Sequence, residues 1–156
     1  MPNALLIYLQ DHLAGSEFAV SLLSDLAKQT SHQRLAEFSQ TLLTEIESDR
    51  IVLQNLIEEQ QGSTNTLKNT LAWFTQKLGQ FKLNLDETHG QFEALELLSL
   101  GITGKLALWT ALEKVPGMIT HLHPTHLMNL QSRARDQFTQ VEQFRLQLAV
   151  AALNES

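Results

Sequence analysis

A chain of 156 residues, 43% apolar and 18% charged, suits one domain with a real core, expected here over residues 1–156. The formal charge of −6 disfavours a general nucleic-acid role, and the absence of cysteine excludes disulfides, thiolate metal sites and cysteine nucleophiles. No run approaches the length of a membrane span and no secretory signal opens the chain, so a cytoplasmic protein is expected.

Three prolines and seven glycines leave long stretches uninterrupted, which favours helices. The first is expected from Asn3, a natural N-cap, to Lys28. Its stripe is Leu6, Leu9, Leu13, Ser16, Val20, Leu23 and Ala27, spaced by three and four. Glu17 lies at the edge of that stripe, where most such residues are solvated, and Gly15 allows a neighbour to approach.

A second helix is expected from Thr30 or Ser31 to Gln61, closed by Gly62. Leu35, Phe38, Leu42, Ile46, Leu53 and Leu56 form its apolar stripe, while Glu47 and Ser48 point away. Asp49 falls inside the stripe, one turn after Glu45. A carboxylate there must find a cation, a metal or a proton.

A shorter helix follows over about Thr66–Phe81, with a seam of Leu67, Leu71, Phe74, Leu78 and Phe81. Lys68, Lys77 and Lys82 are the only charges between Gln60 and Leu85. The segment reads as a cap near Trp73 across one end of a bundle, or else as a basic surface for a membrane or partner.

A third long helix is expected over Asp86–Val115, ending before Pro116 and Gly117. Its centre, ALELLSLGITGKLALW, is apolar almost all round, so it should be the most buried. Gly101, Gly104 and Ala107 share one side where another backbone could come close. His89, Glu93 and Glu96 share a face at i, i+4 and i+7, a spacing that can hold a metal but more often makes a wet helix edge. His121, His123 and His126 in HLHPTH are polar loop residues or a weak site for a divalent transition metal. Pro124 opens the last helix, which runs to about Leu153. Leu127, Leu130, Ala134, Phe138, Val141, Leu148 and Ala152 form its stripe, with Arg145 inside and Glu142 at the edge. With no strand pattern, phosphate loop, GxSxG or HExxH, these elements predict an all-α antiparallel four-helix bundle with a short extra helix between its hairpins.

The segments YLQDHLAGSE, EIESDR and LGITGKLALW, with this order of helices, resemble the ferritin-like superfamily. The likeness is to its small stress-associated bacterial members and covers nearly the whole chain. In metal-binding members each hairpin gives a Glu from its first helix and a Glu-x-x-His from its second. The resemblance implies metal ligands at Glu17, Glu45, Glu96 (or Glu93) and Glu142, with Asp49 as a further oxygen donor. The histidines are missing: Ser48 stands three residues after Glu45, and Arg145 three after Glu142. A guanidinium does not ligate iron and opposes a divalent ion.

The expectation is therefore a bundle without a working metal centre or other cofactor, acting as a non-catalytic binding or scaffold protein in a stress-related setting. Arg145 is expected in the former metal cavity, paired with Asp49 and with Glu45 or Glu142 as second acceptor. The alternative is a di-iron or di-manganese carboxylate protein using Glu17, Glu45, Glu96 and Glu142. A third reading places an apolar ligand between the helices or a lipid on the short basic helix. Leu97 and Leu100 lie opposite Ile102, a face for the short helix or a second subunit to cover, and a homodimer is expected.

Overall fold

Asn3 begins the first helix as its sequence predicts, its side-chain oxygen accepting from the backbone N–H groups of Leu5 (3.1 Å) and Leu6 (3.4 Å). In the computed structural model, which describes residues 3–60, 62, 76 and 83–154, four long helices form and no strand does. They are α1 (Ala4–Gln29), α2 (Gln33–Glu59), α3 (Thr88–Leu112) and α4 (Pro124–Asn154), with a short 3-10 turn at Met118–Thr120. The expected helix of residues 66–81 lies outside the described residues, apart from Gln76.

The ends of the helices differ from expectation for local reasons. His32 caps α2, its ring Nδ1 accepting from the Leu35 N–H at 3.1 Å. The Thr30 hydroxyl is engaged elsewhere, receiving the His32 N–H (3.1 Å) and the Gln91 side-chain amide (2.9 Å). α3 stops at Leu112 rather than Val115, because Lys114 and Val115 donate to Ala111 and Leu112 in tighter turns. Gly117 then takes the left-handed conformation, φ 82°, that a side chain disfavours.

α1 packs on α2 and α3 on α4, and the two pairs join through α1 against α3 and α2 against α4. Along α3 and α4, His89 lies beside Ala152, Ser99 beside Glu142, Lys105 beside Gln137 and Trp109 beside Gln131. Gly62, past the end of α2, lies against Leu6 near the start of α1. Gln91 near the start of α3 meets Thr30 in the α1–α2 turn. Gly62 and the start of α3 are therefore at opposite ends of the bundle.

α3 contributes more buried residues than any other described helix, as its apolar centre predicts. By length and composition it could also cross a membrane, with a mean hydropathy of 1.3, which corrects the expectation that no run reaches that length. A core helix of a bundle meets the same test. On its other side Leu100 is 65% exposed, and a methyl group added to Gly101 or Gly104 would meet no described atom within 4 Å. The close approach expected at these glycines, and at Gly15, is not made by the described residues.

The core divides in two. One half gathers Leu22, Leu26, Leu42, Ile46, Leu95 and Ile102, and the other Leu9, Leu13, Leu53, Leu56, Trp109 and Leu130. Between them lies a layer of charge.

Candidate functional site

The α2 stripe carries Asp49 inward between Ile46 and Leu53, and it is 2% exposed. At that depth an unpaired carboxylate would be too costly, and both of its oxygens are taken. The Lys105 ammonium of α3 donates to Oδ2 at 2.7 Å, and the Arg133 guanidinium of α4 donates to Oδ1. Gln137 of α4, 1% exposed, ties the layer together: its carbonyl accepts from Lys105 and its amide donates to Glu45 Oε2 at 2.9 Å. One residue along α2, Arg50 pairs with Glu17 of α1.

Three acids (Glu17, Glu45, Asp49) thus meet three bases (Arg50, Lys105, Arg133), so the layer is formally neutral. Burial lowers the proton affinity of Lys105 below the ordinary lysine value, and the neighbouring Arg133 adds to this. The attraction of Asp49, its hydrogen bond and the nearby Glu45 act the other way. A polar cleft of about 330 Å³ opens beside the layer between α2 and α4, reaching Glu45, Arg133, Asp136 and Gln137.

The predicted pairing of Asp49 with Arg145 is not the one formed. Arg145 lies in the α4 stripe but on the side facing α3. Its guanidinium grips both oxygens of Glu142 at 2.8 Å, reaches Glu96 at 3.7 Å and sits 5.4 Å from the centre of the Phe92 ring. The Ser99 hydroxyl donates to the same Glu142 at 2.7 Å. Arg145, then Ser99, hold Glu142 below the usual carboxylate value, burial opposing them, and Glu142 raises the Arg145 guanidinium above its own.

The five carboxylates proposed as metal ligands do not converge. Glu17 belongs to Arg50, Glu45 to Gln137, Asp49 to two cations, and Glu96 and Glu142 to Arg145 at another level of the bundle. His89 pairs with Glu93 at 3.2 Å, without Glu96. His121 meets Glu59 at 2.9 Å, while His123 accepts the Thr125 N–H, so the three loop histidines do not share a ligand position either. Among the described residues no three His, Asp or Glu side chains form a group able to hold a metal ion. An ammonium and a guanidinium on Asp49 do not fit a two-metal centre there.

Lys105, Arg133 and Gln137 were missed in the sequence. Lys105 did leave a signal, as the one charge in LGITGKLALW, where an apolar helix has no wet face to spare for it. Gln137 also left one, three residues after Ala134 and four before Val141. Arg133 left none: it flanks the stripe and reaches in along its own stem. No family model matches this chain, and no curated protein or solved structure matches it.

Proposed function

We propose that this chain is an antiparallel ferritin-like bundle in which protein cations stand in for metal ions, and that it acts as a non-catalytic binding or scaffold protein. The observation that carries the reading is Asp49, 2% exposed, with one oxygen on Lys105 and the other on Arg133. In a di-metal bundle, divalent ions neutralise the inward carboxylates of the helices. Here a lysine and an arginine do so. The reversed order of contacts along α3 and α4 supports the antiparallel arrangement, and the opposite-end positions of Gly62 and the start of α3 support one long crossover, the ferritin-like connection. The polar cleft beside Glu45 and Arg133 is the concave surface that this reading offers to a small polar ligand.

The test is metal analysis of untagged protein after anaerobic loading with Fe(II) or Mn(II), followed by desalting. The reading predicts no stoichiometric metal. Retention of about two equivalents, lost on Glu45→Gln or Glu142→Gln, would establish the di-metal alternative instead.

A further inference from the structure

Eighteen residues make five turns of an α-helix, so positions that far apart share a face. Two such pairs lie on the outer side of the α3–α4 layer. Glu96 of α3 is exposed, and eighteen residues on, just past the end of α3 in the tight turn that follows it, exposed Lys114 comes close to the same face. On α4, Met128 (65% exposed) is matched by Leu146 (58% exposed). The midpoint of the first pair is Lys105 and that of the second is Gln137. These are the two inward residues that bond each other across the helices. The two outer faces are therefore centred at one level, directly behind the charged layer.

Between Glu96 and Glu113 the only charged residue is Lys105, which points inward. The outer strip of α3 is left with exposed Leu100, Thr103, Ala107 and Ala111, an uncharged surface.

We propose that this face binds a second copy of the chain, about a two-fold axis at the level of Lys105 and Gln137, perpendicular to the helices. Such an axis lays α3 antiparallel on α3 of the second copy, and α4 on its α4. Glu96 then meets Lys114 of the second copy, and its own Lys114 meets the other Glu96. Met128 meets Leu146, Thr103 meets Ala107, and Arg135 meets Thr139, twice each by symmetry. The charge complementarity and the apolar match follow from the same axis. A face about 27 Å long and two helices wide is on the scale of a standard interface, roughly 800 Å² per partner.

The experiment is sedimentation velocity with four variants. Wild type should dimerise. Glu96→Lys sets lysine against lysine twice, and Lys114→Glu sets acid against acid twice, so each alone should bind itself at least about tenfold more weakly. The double variant, and an equimolar mixture of the two single variants, should dimerise again, because both restore opposite charges at both ends. Circular dichroism and the melting temperature of each variant show whether it folds. Leu100→Glu, within the strip, should be monomeric. Wild type that stays monomeric at about 100 μM overturns the proposal. So does a dimer indifferent to the single reversals, or a mixture that does not associate when both folded variants are monomeric.

Discussion

His12 and Glu142 each titrate with a clear sign. Burial in α1, where the Tyr8 and His12 ring centres lie 4.7 Å apart, lowers His12 below the ordinary 6.5, and Asp11 only partly offsets this. The unfolded chain therefore binds its proton first, and stability falls as pH drops below 6.5 towards the lowered value. His12→Gln should flatten that slope in urea unfolding measured between pH 5 and about 7.5. Glu142 is lowered as well, chiefly by Arg145. Its contribution is present above the ordinary 4.5 and is lost as pH falls through the lowered value. Arg145→Ala should make the acid side of the stability curve shallower. It should not couple to Asp49, whereas the pairing expected from sequence requires that it does. That expectation failed on a rotation of one helix: Arg145 is inside the stripe, but the stripe is wide enough to face both α3 and the centre, and spacing alone does not separate them.

The helices themselves were legible, because three- and four-residue spacing reports a buried face directly. Leu35, Leu42, Ile46, Asp49, Leu53 and Leu56 are all buried as one stripe of α2. Their ends were less so, since capping depends on which hydroxyl the rest of the fold has already engaged, as at Thr30. Glycines separate two kinds of constraint at this scale. A methyl group on Gly90 would lie 1.9 Å from the backbone oxygen of Asn84, which cannot swing aside, so Gly90→Ala should cost at least about 1–3 kcal/mol. A methyl group on Gly15 would meet no described atom within 4 Å, and Gly15 sits within α1, so Gly15→Ala should stabilise by about 0.5–1 kcal/mol through helix propensity. Chemical denaturation of the two variants checks both signs. Gains or losses of equal size would show that local space is not what distinguishes the two positions.

Across the whole molecule the charged layer interrupts an otherwise continuous core, so it is a poor candidate for added stability. Desolvation offsets most of the attraction within a buried pair, and apolar residues of similar volume would serve about as well. What the layer supplies is a fixed partner for each inward charge, and so a defined rotation of α2, α3 and α4 about one another. Sequence reasoning arrived at a cation from α4 on Asp49 but chose Arg145 instead of Arg133, and it missed Lys105 of α3. Lys105 was read as part of an apolar run, and only the packing of α3 turns it inward. The claim that Lys105 holds Asp49 is tested most directly by a double-mutant cycle in urea with a chelator present. Asp49→Leu should cost about 3–5 kcal/mol, because it strands a buried ammonium. Lys105→Met should cost a comparable amount, since the Arg133 side chain is partly exposed and compensates only in part. The combined variant should cost clearly less than the sum, with a coupling of at least about 2 kcal/mol. Additive losses, with no coupling between the two positions, would contradict the account.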